Sequence, residues 1–417
     1  MTAGPGHRAV LLFAAVAAVF CAAFPAIAQE LPGEAFHIKP AELPKPYETA
    51  SSGNSPDRVR RTAGMAPRVP PDFQVNLFAE GLHHARWLTV AESGEVFLAE
   101  SRAGKVTLLV DTNGDGKADR RSTFVGGHDA PHGLALHGGN LYVADLDGVW
   151  RYSWRPGQQR AQGKGERITP AGAFGDSGGH WTRNIAIAPD GRRFYVAIGS
   201  AGNIDEEAAP RATVKEFNID GSGGRVFASG LRNPVGIAFH PYTGALYTVV
   251  NERDGLGDGL VPDYLAALSD GAFYGWPYAY IGPNPQPGYA DRRPDLVRRT
   301  LVPDVLFQSH SAPMALLFAK GGQFPDDWQD DAFVAFRGSW NAAVPTGYKV
   351  VRIPFENGRP LGSYENFVTG FRLDQSGRRT TARVWGRPVG MALARDGSLL
   401  IAADVDQSIW RVSRRNR

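Results

Sequence analysis

His180 follows two glycines in the stretch GGHWTRNIAIAPDG (178–191) and leads into an alternating apolar run. A histidine at the mouth of a cavity can take up a proton near neutral pH, which is the work of a general base. It could equally be a hydrogen-bonded residue that closes the turn after Gly178 and Gly179. Arg337 in FRGSWN and Arg387 in WGRPVG are candidate carboxylate clamps, because a guanidinium pairs with a planar anion through two parallel bonds. A surface ion pair is the other common use of a single arginine. Trp340, Trp276 and Tyr274 offer faces on which a flat ligand could stack, or they serve ordinary packing.

Oxygen ligands gather in two places. Asp111, Asn113, Asp115 and Asp119 alternate through DTNGDGKAD, the spacing with which a loop wraps a hard cation such as calcium. The loop lacks the helices and terminal glutamate of an EF-hand, so a structural surface ion or an empty polar turn is expected rather than a catalytic metal. Glu252, Arg253 and Asp254 lie in NERDGLGD (251–258), a loop that can present backbone carbonyls to calcium or be an ordinary acidic loop. The sequence has no nucleophile elbow, P-loop, dinucleotide glycine fingerprint or zinc-ligand spacing, which argues against a serine hydrolase and a nicotinamide enzyme.

The elements that must hold these groups repeat. A triplet of apolar-leaning positions, a short turn and a second apolar strand recur six times, anchored at Leu88, Leu134, Ile185, Ile237, Leu316 and Met391. The spacing suits one four-stranded blade per copy, with insertions in the fourth and fifth. The expected fold is all-β, a six-bladed β-propeller in one domain spanning 71–417. Four to six positions before the anchors stand His83 and His84, His128 and Asp129, His180, Arg232 and Asn233, His310 and Ser311, and Arg387. A turn needs none of these types, so their shared phase predicts a polar ring around one mouth of the central channel.

Bulk properties agree. Fifty glycines and thirty prolines fit many turns between short strands. Residues 1–28, with a basic start, an apolar run and Ala26-Ile27-Ala28, read as a secretory signal peptide, and 29–70 as an irregular linker. The single cysteine, Cys21, falls in the leader, so the exported chain must be held by its core without disulfides. The expected destination is the periplasm or the medium, with no membrane span in the mature chain. A formal charge of +3 with no basic stripe argues against nucleic acid as a partner.

Together with GLRNPVGIAFHPYTG (230–244), YGWP (274–277) and FVAFRGSWNAAVPTGYKVVRIPF (333–355), the opening stretch resembles the soluble glucose/sorbosone dehydrogenase family, in its sorbosone-type branch. The resemblance runs from about residue 70 to the C-terminus. It implies a propeller carrying pyrroloquinoline quinone (PQQ) and calcium, oxidising the aldehyde or C1 hydroxyl of a sugar and passing electrons to a quinone or cytochrome acceptor. It assigns His180 as the base, places Asn203 near an Arg-Asn pair flanking the quinone, sets Arg337 and Arg387 on the cofactor carboxylates, and gives the 252–255 loop the calcium. Arg232, Asn233, His310 and Trp340 complete the expected cofactor surroundings. Gly202-Asn203-Ile204 has no adjacent arginine, Trp385 stands where glucose-type members carry a second arginine, and the calcium loop lacks their Gly-Pro. These departures point away from glucose itself, towards another aldose or aldehyde. The rival expectation is a non-catalytic propeller that binds carbohydrate or protein at the same mouth.

Overall fold

The computed structural model describes residues 1–2, 30–373 and 381–415. The expected signal segment falls almost entirely outside them.

Six sheets, antiparallel but for one added strand, Ala272–Phe273, that pairs in parallel with Arg225–Ser229, stand in a ring, a six-bladed β-propeller. Blade 1 comprises Ala85–Val90, Val96–Glu100, Lys105–Val110 and Arg120–Gly126 from the axis outward. Blade 2 comprises Gly133–His137, Asn140–Ala144, Val149–Ser153 and Glu166–Arg167. Blade 3 has Arg183–Ile187, Arg193–Ile198, Thr213–Asn218 and Arg225–Ser229, and blade 4 has Asn233–Phe239, Leu246–Asn251, Tyr264–Leu268 and Val305–Leu306. Blade 5 uses Pro313–Phe318, Ala332–Phe336, Lys349–Ile353 and Tyr364–Val368; blade 6 uses Pro388–Leu393, Leu399–Ala403 and Ser408–Arg414. All six sequence anchors lie on innermost strands. The second apolar run of each copy is the second strand.

The ring closes with Phe73–Ala79, which pairs with Ser408–Arg414 as the outermost strand of blade 6. Phe73 is buried and meets Phe367 of blade 5 edge to face at 5.1 Å, so the closing strand also ties two blades together. Burying such a ring is worth roughly 1.5–3 kcal/mol.

Innermost strands run close to their neighbours, and glycine decides how close. A Cβ on Gly133 would sit 2.7 Å from the Arg183 carbonyl of blade 3, one on Gly236 2.6 Å from Leu316 N of blade 5, and one on Gly390 1.9 Å from the Arg86 carbonyl of blade 1. The equivalent residues of blades 1, 3 and 5 are Trp87, Asn184 and Ala315. Glycine therefore stands at every second seam, where no side chain would fit.

Residues 30–70, expected as a linker, lie against the propeller. Ala35–Phe36 adds a fifth strand to blade 5, Phe36 stacks on Tyr364 at 5.0 Å, and Glu30 meets the buried Lys349 ammonium at 3.2 Å. Further along, Thr49 Oγ1 and Ser51 Oγ accept the N–H groups of Asp258 and Gly257. Asn54 N donates to the Trp340 carbonyl at 2.7 Å. This strap holds two loops of blades 4 and 5 whose other side faces the channel.

Candidate functional site

A cavity of about 560 Å³ opens at the end of the channel where the innermost strands begin. Its wall is built from the residues just before those strands and from the turns that follow the second strands of blades 1, 4 and 5. His84, His180, Arg232, Asn233, His310 and Arg387 line it, so most of the ring predicted from shared phase is present. His83 and Asp129 are exposed instead. His128 is buried, held by Asp145 at 2.7 Å and Tyr152 at 3.0 Å, and Ser311 is spent on the Gln308 carbonyl.

His180 joins both roles the sequence left open. Its Nδ1 lies 2.8 Å from the Ser200 carbonyl and 3.0 Å from Ser200 Oγ. A donor is required towards the carbonyl, so Nδ1 carries the proton and Nε2 is left with its lone pair. The turn beneath is fixed by Glu207, which accepts from the N–H groups of Ala201 and Gly202. Burial and then the charge of Arg232 lower the imidazole to about 4. The ring is neutral at physiological pH and able to accept a proton.

The blade 4 side is rich in oxygen. Arg232 donates to the carbonyl of Asn203 at 3.1 Å and of Glu252 at 2.7 Å, and lies 3.5 Å from Asp254. Asp254 is also approached by His310 at 3.5 Å and by Asn341 at 2.5 Å. Burial pushes the Asp254 carboxyl up, but hydrogen bonding to His310 and the charge of Arg232 outweigh it and hold the group below its ordinary value. Asp263 accepts from the N–H groups of Glu252 and Ala312, and burial pushes it up to about 7. The Arg253 side chain points away from the cavity into a buried contact with Glu252 at 2.8 Å and Gln286 at 3.1 Å. Only its backbone remains as a possible metal ligand.

The opposite side is cationic. Asp404 Oδ2 accepts from Arg86 Nη1 and Arg337 Nε, each at 2.7 Å, which leaves both Nη groups of Arg337 for a ligand. Arg387 donates to the carbonyls of Arg337 and Gly338; burial and the charge of Arg337 lower it to about 9. Arg387 thus braces the loop that carries Arg337. Trp340 stands at the rim, 54% exposed. Trp276 and Tyr274, weighed as stacking faces, are buried packing residues.

Two of the expected sites lie outside the cavity wall. Arg232 and Asn233, an adjacent arginine and asparagine, are both in the cavity wall. Asn203 stands behind them, exchanging hydrogen bonds of 2.9 Å with the Asp254 backbone and accepting one of 2.9 Å from Arg232. The 111–119 loop joins the third and fourth strands of blade 1, at the end of the blade away from the cavity. Asp111 accepts from the N–H groups of Gly114 and Gly116, Asn113 and Asp115 from those two residues on, and Asp119 from Thr112. The oxygens counted as ligands close their own turn. Among the described residues no group of three or more His, Cys, Asp or Glu side chains is placed to hold a metal.

Arg86, Arg102, Trp181, Asp263, Asn341 and Asp404 were not foreseen. Asp404 had a signal: it ends the sixth copy as Glu100 and Asp145 end the first two. Glu100 and Asp145 hold residues just before the innermost strands of their own blades, whereas Asp404 reaches Arg86 on the innermost strand of blade 1.

Fold and site define a propeller with one polarised ligand cavity at the channel mouth, an oxygen-rich wall facing a guanidinium wall. The chain belongs to the TrAA12-like family, whose model matches residues 67–260 and 295–415. The gap between the two matched stretches falls within blade 4 and includes its third strand, Tyr264–Leu268. An uncharacterized protein of Borreliella burgdorferi is 25% identical over 366 residues, covering 83% of this chain and 90% of its own. A pyrroloquinoline quinone-dependent pyranose dehydrogenase of Coprinopsis cinerea is 24% identical over 409 residues, 83% of this chain and 54% of that protein, so the chain spans about half its length. A calcium structure of a family AA12 carbohydrate-active enzyme of Trichoderma reesei superposes with a TM-score of 0.70 at 19% identity, covering 86% of this chain and 99% of that one. No helix among the described residues is long and apolar enough to cross a membrane.

Proposed function

We propose that the chain is a PQQ- and calcium-dependent dehydrogenase that oxidises the C1 hydroxyl or aldehyde of a sugar-like substrate and passes the electrons to a quinone or cytochrome acceptor. The observation that carries this reading is the division of one cavity among three chemistries: a neutral imidazole at His180, a guanidinium wall, and an oxygen-rich loop at 251–254. Pyrroloquinoline quinone is a tricarboxylate, and the residues present fit it. Arg337 has free Nη groups, and the Asn233 Oδ1 atom is buried without a partner, as expected of a group that meets a ligand. The carbonyls of the 252–254 loop, beside the ionised Asp254, suit a hard cation. The Coprinopsis and Trichoderma relatives, named for the quinone and for calcium, support the same pair.

When bound, the quinone supplies a two-electron hydride acceptor and calcium a Lewis acid. The protein positions the substrate and moves a proton. His180 Nε2 takes the proton of the C1 hydroxyl, and Ser200 fixes the tautomer that makes this possible. The negative charge of a carboxylated ligand on Arg232 would offset one cause of the lowered imidazole and strengthen the base. Trp340 offers a rim face for a pyranose ring. The apolar leader at 1–28 supports export to the periplasm or the medium.

The test is to purify the mature chain, add PQQ and calcium, and follow dye reduction over aldoses and aldehydes. Turnover that disappears in His180→Ala supports the reading. Failure to bind PQQ, or full activity in that variant, overturns it in favour of a non-catalytic binding propeller.

A further inference from the structure

The cavity carries more positive charge than its own acids and the proposed cofactors consume. Arg86, Arg102, Arg232, Arg337 and Arg387 line it and Arg253 lies behind it, facing Glu252, Asp254, Asp263 and Asp404. Six guanidiniums against four carboxyl groups, of which Asp263 is pushed up to about 7 by burial, leave a surplus of at least two. Calcium would raise it by two and a tricarboxylate cofactor would lower it by three, to at least one. Arg183, buried near His180 and without a carboxylate partner, only adds to the excess.

The unspent cation can be named. Arg86 and Arg337 share Asp404, Arg232 is held by Asn203, Glu252 and Asp254, and Arg387 by two carbonyls. Among the described residues Arg102 is the cavity-lining arginine without a hydrogen bond or ion pair to the protein. It projects from the turn Ser101–Ala103 of blade 1, is exposed, and shares its wall with His84 and Ala130. Its charge acts on His84 and Arg86, and it forms no ion pair with the acids that line the cavity, Glu252, Asp254 and Asp263. A lone guanidinium at an open cavity wall is matched by a planar anion that arrives with the ligand.

We propose that Arg102 receives a carboxylate of the substrate, so that the sugar oxidised at C1 is a hexuronate. This rests on the dehydrogenase reading and narrows it. The C1–H hydride goes to the quinone cofactor, the C1 hydroxyl proton to His180, and a lactone leaves with its C6 carboxylate unchanged.

The test has two arms. Calorimetry on the chain loaded with PQQ and calcium compares methyl glucuronoside with methyl glucoside, both blocked at C1. Steady-state oxidation compares glucuronate and galacturonate with the parent hexoses. The expected result is about 10-fold or greater preference for the uronoside, weakened by salt, and abolished in Arg102→Gln with PQQ affinity unchanged. Equal or tighter binding of the neutral glycoside overturns the inference. So does an Arg102→Gln variant that loses PQQ affinity while keeping the preference. Oxidation of neutral hexoses alone would sink the uronate assignment and leave the dehydrogenase reading standing. Failure to oxidise any sugar would sink that reading, and the binding arm would still decide the carboxylate.

Discussion

His180 Nδ1 is tied to the Ser200 carbonyl at 2.8 Å, and this bond fixes which nitrogen of the ring can act. His180→Asn or His180→Ala should lower kcat by roughly 10²–10⁴-fold while PQQ and calcium still bind, as a spectroscopic titration would check. The imidazole is lowered to about 4, and its active form is the neutral one. Activity should therefore hold on the alkaline side and fall as pH drops towards the imidazole pKa. With PQQ bound that acid limb should lie above 4, because the ligand offsets Arg232. A kcat/KM profile rising only above pH 8 would count against His180 as the base.

Asp404 is the shared anchor of Arg86 and Arg337. Asp404→Asn keeps the shape but leaves a buried guanidinium without its counter-charge, which costs about 3–5 kcal/mol. Thermal unfolding should show a lowered Tm, and PQQ affinity should fall because Arg337 is no longer aimed.

The strap acts on the same cavity from outside. Asn54 Nδ2 donates to the carbonyls of Ala342 and Ala343 at 3.0 and 3.3 Å, so Asn54→Ala should loosen the loop carrying Arg337 and Trp340. A loss of about 1 kcal/mol is expected, seen as weaker PQQ binding more than as a lowered Tm. Deleting residues 30–58 should also weaken calcium binding, since Thr49 and Ser51 hold the 257–258 backbone.

Asp111→Ala removes acceptors from a turn far from the cavity. It should lower stability by about 1 kcal/mol and leave the calcium requirement for turnover unchanged. A calcium titration of activity distinguishes this turn from the 252–254 loop.

Gly390→Ala would set a Cβ 1.9 Å from the Arg86 carbonyl. Overpacking of this kind costs about 1–3 kcal/mol or more, and denaturant unfolding should show it. The same change at Gly133 or Gly236 should act in the same direction.

The repeat was legible because each blade must bury two apolar strands, and period-2 patterning cannot hide that demand. The ring of polar residues was legible for the same reason: a fixed phase before an innermost strand means a fixed place at the mouth. What phase could not tell was direction within the mouth. His128 and His180 stand at like positions, yet one is turned into Asp145 and Tyr152 and the other into the cavity. Arg102 and Asn341 come from turns after second strands, whose lengths differ from blade to blade, so no shared spacing marked them. The 111–119 loop stayed open between ion and turn because alternating oxygens satisfy a tight turn's own N–H groups as readily as a cation.

The glycines at Gly133, Gly236 and Gly390 carry a consequence for how such a ring can be built. Tight and loose joints alternate around the axis, so the natural module is a couple of blades rather than one. An even number of blades closes such a pattern without mismatch. Inserting or removing a single blade would set two neighbours that carry a side chain, or two bare ones, side by side, whereas a couple could be added or lost with every joint still matched.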